Sequence, residues 1–470
     1  MLIPPEIITA IQHCVGKDNV LTAKADCWPY GGDNSRRHSM PDLVVYATTT
    51  AHIKTIALLC YEHAIPIITR GRGTGTTGAT VPLSGGLVLS LERMNKILQV
   101  SPQNRYIIAQ PGVTNMDIQR AAAQHGFFWP PDPTSAEFCT LGGNLAYNSA
   151  GPRAVKYGTP RENTLGLKAI TGCGDEISTG VCTTKGVVGY DLTRLLIGSE
   201  GTLAIITEAT LKLTPLPECI QTLQVMYRDI NSAAKAIANI MAQAMIPSAL
   251  EFIDAAAINM IREYSSIELP SNAGAMLMIE VDGSHNSIEY AVDAIELAAR
   301  NDGMLTFQAA RTDKERQALW RTRKALSPAL RKIAPKKINE DVVVPVSNIP
   351  ALLDGLSELS SQYDIPIVNF GHAGNGNIHV NLLVDPSNQA QMHNAERCLS
   401  KVFDLVLSLQ GTLSGEHGVG LEKKNFIDRE IDPITLALMR KIKHQFDPKN
   451  ILNPGKTLPD EQHSKTEDTH

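Results

Sequence analysis

The stretch RGRGTGTTGATVP, Arg70 to Pro82, constrains the fold of this chain more than any other, because its glycines and threonines follow directly on the apolar run IPIITR. Its centre, GTGTTG from Gly73 to Gly78, satisfies G-x-G-x-x-G, the fingerprint of a dinucleotide-binding strand–turn–helix unit. The context excludes that unit. Such a fingerprint must open a helix whose N-terminus holds the pyrophosphate, whereas here Pro82 and the Gly85-Gly86 pair intervene and LVLSL, an apolar run of strand length, comes next. A Walker A loop is excluded as well, since no Gly-Lys-Ser/Thr completes it. What remains is a loop of successive main-chain N–H groups and threonine hydroxyls, able to surround an anion without a helix dipole.

The surroundings are those of a large globular protein. With 470 residues, 43% of them hydrophobic, the chain can bury more than one core and is expected to split into domains. Ile53, Ile56, Cys60 and Ala64 fall at helical spacing before IPIITR, and a second helix is expected from Asn115 to Gln124 with Gly126 at its C′ position. LLIGSEGTLAIITEATLKL reads as paired strands around a tight turn. At TPLPE, Thr214 to Glu218, the composition changes, and a domain boundary is expected there. Beyond it strands (IQTLQVMY, SALEFI, AMLMIEVDG, DVVVPV) alternate with helices around Ala233 to Ala244 and Ser287 to Arg300. The domains are expected at 1–217, with a helical lead-in to about residue 37, and at 218–456, followed by a polar tail over 457–470.

A formal net charge of −5 and the lack of a long basic run argue against a nucleic-acid partner. The eight cysteines are scattered without a C-x-x-C pair, which suits reduced, structural thiols. The N-terminal residues have no secretory pattern and no run approaches the roughly 18 apolar residues of a spanning helix. A cytoplasmic protein is expected, and a peripheral contact with the inner membrane or a homodimer is compatible with the sequence.

The strongest chemical signal comes late, in NFGHAGNGNIHVNLL, Asn369 to Leu383. Asn375-Gly376 between apolar runs is the favoured pair for a two-residue type I′ hairpin turn. A turn there sets His372 opposite His379 with Cβ atoms about 5 Å apart, close enough for both imidazoles to hold one metal ion. GTLSGEHGVG follows, in which Glu416 offers an anionic oxygen and His417 an imidazole that titrates near neutrality. Two histidines and a carboxylate suit a divalent Zn, Mn or Fe ion.

Taken together, the glycine loop, the second glycine-rich segment PPDPTSAEFCTLGGNLAYNSAGPRAVKYG, GSEGTLAIIT, GHAGNGNIH, GEHG and FDPKNILNPGK resemble the FAD-dependent D-2-hydroxyacid dehydrogenases of the vanillyl-alcohol oxidase and p-cresol methylhydroxylase superfamily. The resemblance runs from about Pro41 to Lys456. It implies an α+β protein, a PCMH-type FAD-binding domain followed by an α+β cap domain with an antiparallel sheet.

By that resemblance the first loop holds the FAD pyrophosphate through Arg72, Gly73, Thr74, Gly75, Thr76 and Gly78. The rest of the cofactor is contacted by Pro131, Thr134, Ser135, Gly142, Gly143, Asn144, Ser149, Gly151, Glu200, Gly201, Ile205 and Asn453, with Lys456 beside Asn453. These loops contain no histidine placed for a covalent link, so non-covalent FAD is implied. The resemblance further implies His372, His379 and Glu416 as metal ligands, His417 as the base, and Arg323 in LWRTRKALSPAL as the arginine that takes the substrate carboxylate. Asn375 stands where many relatives carry aspartate, and Asn339 where D-2-hydroxyglutarate enzymes carry a lysine, which disfavours a dicarboxylate substrate.

The implied activity is oxidation of a D-2-hydroxy acid, D-lactate foremost, to the 2-oxo acid, with electrons passed to a quinone, a cytochrome or an electron-transfer protein. The alternative is the flavin subunit of a multi-subunit glycolate dehydrogenase that hands electrons to an iron–sulfur or flavoprotein partner.

Overall fold

The computed structural model describes residues 3–264 and 269–460. Most of the polar tail expected over 457–470 lies outside the described residues, which end at 460. The chain divides into two compact units, one of residues 1–150, 158–216 and 416–470, the other of residues 151–157 and 217–415.

The first unit contains two principal sheets. In one, β1 (Val20–Leu21), β2 (Leu43–Tyr46), β3 (Ile67–Arg70) and β4 (Leu87–Ser90) run in the order β1-β2-β4-β3, with β2 and β3 both parallel to β4. The connection from β2 to β3 is the helix Thr50–Glu62, whose Ile53, Ile56, Ala57 and Cys60 are buried at helical spacing. The connection from β3 to β4 is the glycine loop itself. A strand therefore follows the loop, as the sequence context requires, and the loop lies past the carboxyl end of a parallel strand, where open sheets bind ligands.

The second sheet is antiparallel and joins β5 (Ile97–Ser101), β6 (Tyr106–Ala109), β8 (Thr164–Thr171), β9 (Glu176–Gly180) and β10 (Ala204–Lys212) in the order β5-β6-β10-β8-β9. A short pair, β7 (Phe127–Phe128) with β11 (Thr214–Pro215), closes the unit. The expected strand pair in LLIGSEGTLAIITEATLKL is not formed. Leu192–Leu196 is helical, and Gly198, Glu200 and Gly201 all have positive φ, which is incompatible with a strand arm leading into a hairpin. The single strand β10 pairs instead with β6 and β8, which are distant in sequence. The glycine-rich stretch after Thr140 is likewise no loop throughout. Leu141–Tyr147 is a helix that buries Leu141, Asn144 and Leu145.

The other unit is built on one wholly antiparallel sheet of β12 (Cys219–Tyr227), β13 (Ala249–Asp254), β14 (Ala275–Gly283), β15 (Met304–Ala309), β16 (Lys336–Val343), β17 (Ile367–His372) and β18 (Asn377–Val384). Its order is β15-β12-β14-β13-β17-β18-β16. The helices Ala255–Tyr264 and Asp313–Ile333 pack against Ile253, Val368 and Phe370 on one face. Thr312 and Glu315 form a capping box that starts the second of these, a device worth about 1 kcal/mol. Trp320 pins the same helix to β14 by donating its Nε1–H to Glu280 Oε1 at 2.6 Å. Arg323, three residues further on, is thereby brought over the sheet. No helix among the described residues is long and apolar enough to cross a membrane.

Candidate active site

The glycine loop is braced from its carbonyl side. Asn34 donates its main-chain N–H to Gly75 O at 2.9 Å and its Nδ2 to Thr74 O at 3.2 Å, while Arg70 Nη1 donates to the carbonyls of Tyr30 and Gly32, each at 3.0 Å. Among the described residues, the main-chain N–H groups from Gly73 to Thr77 donate to no protein acceptor. Five successive partly or fully buried donors left in this way fit an anionic group such as a diphosphate, because buried amides otherwise find partners.

Most of the other residues expected at the cofactor belong to segments that meet this loop within the same unit. Gly142, Gly143 and Asn144 lie at the start of the helix Leu141–Tyr147, with Asn144 buried and its Oδ1 accepting from Asn115 Nδ2 at 3.1 Å. The same Asn115 amide donates to the carbonyl of Pro131 at 3.0 Å. Ser149 Oγ donates to Glu416 O at 3.4 Å, and Asn453 Nδ2 donates to Glu200 O at 2.8 Å. Arg72 and Thr134 are exposed, and Ser135 is half-buried, its carbonyl accepting the N–H groups of Phe138 and Cys139. The side chain of Ile205 is fully buried in the hydrophobic core, so a cofactor contact there is confined to its main chain. Gly151, at φ +89°, opens the 151–157 segment of the other unit. Burial pushes the Glu200 carboxyl up to about 7, against the pull of the Val419 and Gly420 amides, and brings the Lys456 ammonium down to about 8.

The histidine hairpin differs from the expected one in register. Ala373–Asn375 makes a 3₁₀ turn and Gly376 follows at φ +74°, so the loop has four residues rather than two. His372 then stands opposite Asn377, and His379 opposite Phe370. The shift is by an even number of residues, so both imidazoles keep the same face of the sheet as diagonal neighbours, their ring centroids 5.1 Å apart and their planes nearly perpendicular. Gly376 is required at this turn, because a Cβ on it would lie 1.8 Å from Val344 O.

Register extends the site in both directions. Across β17 and β13, Glu251 is aligned with His372 and accepts from its Nδ1 through Oε1 at 2.5 Å, while Oε2 takes Arg323 Nε at 2.7 Å and Nη2 at 2.6 Å. Burial alone raises a carboxyl here, but the interactions with His372 and Arg323 outweigh it and hold Glu251 below its usual range. An ionised acceptor at Nδ1 fixes the proton on that nitrogen and turns Nε2, as a lone pair, to the site. Arg323 also lies over the Phe370 ring, 4.9 Å from its centroid. Across β18 and β16, Asp341 is paired with His379 and receives Gly415 N–H at Oδ2, 2.9 Å.

Glu416 is the next residue after Gly415 and is tethered by that bond. One ligand atom each from His372, His379 and Glu416 lie within 4.8 Å of one another. The three donors fit a divalent cation, and the carboxylate behind His372 is what metal-bound imidazoles ordinarily carry. His417 Nε2 is 4.0 Å from Glu416 Oε1.

Glu251 is absent from the sequence reading. The only signal for it was a single carboxylate inside the apolar run SALEFI, a position that demands a charged partner.

Residues 41–180 match the FAD binding domain family, and residues 216–457 match the C-terminal domain of FAD linked oxidases. The protein is a flavin-dependent oxidoreductase. It is 40% identical over 456 residues to the glycolate oxidase subunit GlcD of Bacillus subtilis, which covers 97% of each chain. With the D-lactate dehydrogenase of Archaeoglobus fulgidus it shares 36% identity over 416 residues, 88% of this chain and 91% of the other. The chain belongs to the FAD-linked oxidase family. Its fold is that of p-cresol methylhydroxylase, with a TM-score of 0.79 at 17% identity over 97% of this chain and 96% of that one.

Proposed function

We propose that the protein oxidises a D-2-hydroxy acid, D-lactate foremost, to the corresponding 2-oxo acid, with non-covalent FAD and a divalent metal ion. The observation that carries this reading is the convergence of His372, His379 and Glu416, with Glu251 holding the tautomer of His372. Bound FAD would supply a hydride acceptor, and a Zn, Mn or Fe ion held by His372, His379 and Glu416 would supply a Lewis acid for the 2-hydroxyl.

The chain's own groups do the rest. His417 accepts the hydroxyl proton as base, at Nε2. Arg323 orients the substrate carboxylate with the part of its guanidinium that Glu251 leaves available, since Glu251 engages Nε and Nη2. Asn339, on the same face of β16 as Asp341, is neutral and supplies no second cation, which suits a monocarboxylate. The two electrons then pass to an external quinone, cytochrome or electron-transfer protein.

A second reading, the flavin subunit of a glycolate dehydrogenase that works with an iron–sulfur or flavoprotein partner, is favoured by the identity with glycolate oxidase subunit GlcD. One experiment separates them. The purified protein is mixed anaerobically with D- and L-2-hydroxy acids, glycolate included, and flavin absorbance is followed at about 450 nm. Bleaching by D-lactate and turnover with an artificial acceptor support the first reading. Bleaching by glycolate with turnover only beside a partner supports the second, and a flavin that no acid bleaches removes both.

A further inference from the structure

The segment GEHGVG, Gly415 to Gly420, contains the proposed base His417, and Glu200 holds the two amides at its end. Glu200 Oε1 accepts the main-chain N–H of Val419 at 2.5 Å, and Oε2 accepts that of Gly420 at 2.8 Å. Two consecutive amides thus wrap one buried carboxylate, in the manner of a main-chain nest. Gly418 and Gly420 follow from this packing. A Cβ on Gly418 would lie 2.5 Å from Glu200 Oε1, and one on Gly420 would lie 2.3 Å from Thr77 O. Thr77 adds two ties, its Oγ1 donating to His417 O at 3.4 Å and its carbonyl accepting Leu421 N–H at 2.7 Å.

Glu200 is also held under strain. Its φ is +51°, a left-handed conformation that few residues with a Cβ adopt, and its own carbonyl is fixed by Asn453. Strain of this kind persists only where the surroundings over-determine it. Glu200 is 5% exposed, and its two oxygens accept from the His417 segment and, at 3.5 Å, from Thr457 Oγ1.

We infer that Glu200 is a positioning residue for the base: its carboxylate clamps the Val419 and Gly420 amides and so sets where the His417 imidazole is presented. Its main-chain N–H and carbonyl are taken by Ala146 O and Asn453 Nδ2, and its side chain serves the proton-accepting step. The inference rests on the reading of His417 as base, and its test separates the two.

Three variants, Glu200→Gln, Glu200→Ala and His417→Ala, and the double variant His417→Ala/Glu200→Ala, are prepared with FAD and compared with the parent. Both Glu200 variants keep their flavin. Glutamine offers one acceptor oxygen in place of two, so the limiting rate of flavin reduction by D-lactate falls about tenfold in Glu200→Gln and about a hundredfold in Glu200→Ala, with KM within about twofold. Hydrogen–deuterium exchange of the 416–421 peptide speeds up in both, while exchange elsewhere in the FAD-binding unit is unchanged. The double variant is no slower than His417→Ala alone, because a residue that acts through His417 has nothing left to lose.

Independent losses that multiply in the double variant, loss of FAD from Glu200→Gln, or unchanged exchange at 416–421 would each overturn the inference. If His417→Ala itself reduces flavin at the parent rate, the base reading fails, and the exchange data still decide whether Glu200 clamps the segment.

Discussion

Glu251 and His372 stand aligned on neighbouring strands of the antiparallel sheet, and the buried carboxylate of the first accepts from Nδ1 of the second at 2.5 Å while its other oxygen takes the Arg323 guanidinium. One side chain therefore sets the tautomer of a metal-ligand candidate and the orientation of the arginine proposed for the substrate. Glu251→Gln should keep the fold and weaken metal binding roughly 10- to 100-fold, read by metal content after dialysis against a competing chelator. Glu251→Ala leaves a buried guanidinium unpaired and should cost about 3–5 kcal/mol of stability, read by denaturant unfolding. A Glu251→Gln protein that retains metal as the parent does would separate Glu251 from the site.

Removal of the ion should abolish flavin reduction by substrate and leave the flavin in place, because the glycine-loop amides and the His372, His379 and Glu416 donors are separate sets. Addition of a divalent ion should restore it. A metal-free preparation with full activity would remove the ion from the mechanism.

Gly376→Ala places a Cβ against Val344 O at the tip of the histidine hairpin and forces a left-handed φ on a residue with a side chain. The expected cost is about 1–3 kcal/mol, with a lower melting temperature and reduced metal content together. Gly126→Ala is the control, since it also has positive φ but its Cβ meets nothing within 4 Å, so it should lower stability without touching the metal.

Asp254 sits at the end of β13, fully buried, and accepts the N–H groups of Ala257 and Asn369. Burial raises its carboxyl to about 6 against the opposing effect of those two bonds. Its folded pKa is above the unfolded one, so the native state holds a proton that the unfolded state has released. The contribution of Asp254 to stability is fully present below about pH 4, falls by roughly 3 kcal/mol as the pH rises to about 6, and is flat beyond. Asp254→Asn removes this titration. The difference in melting temperature between variant and parent should move in the variant's favour between about pH 4 and pH 6 and then stay constant, and a gap independent of pH would contradict the assignment.

Much of the fold was legible because short-range chemistry dictates it. Helical spacing at Ile53, Ile56 and Cys60, the breakers at Pro82 and Gly85-Gly86, and the alternation of apolar runs after TPLPE each follow from local propensity, and the glycine loop is followed by a strand, as its flanking residues imply. Local reading failed where partners are distant. The run GSEGTLAIIT contains one strand, and only β6 and β8, far off in sequence, show where its hydrogen bonds go.

For the site, the sequence by itself determined the residue types and the face. His372 and His379 share a side of the sheet because the hairpin loop has an even number of residues, as the Asn-Gly turn implies, even though it is two residues longer than expected. Tertiary structure alone decided the company they keep. Glu251 reaches His372 across a strand pairing separated by 121 residues, and Glu200 reaches the His417 segment across about 220. No pattern within a window of sequence encodes such pairs. Glu251 was visible only as an acid in an apolar strand and Glu200 only as an expected cofactor contact within GSEG, and a buried carboxylate finds its partner through the packing of the whole chain.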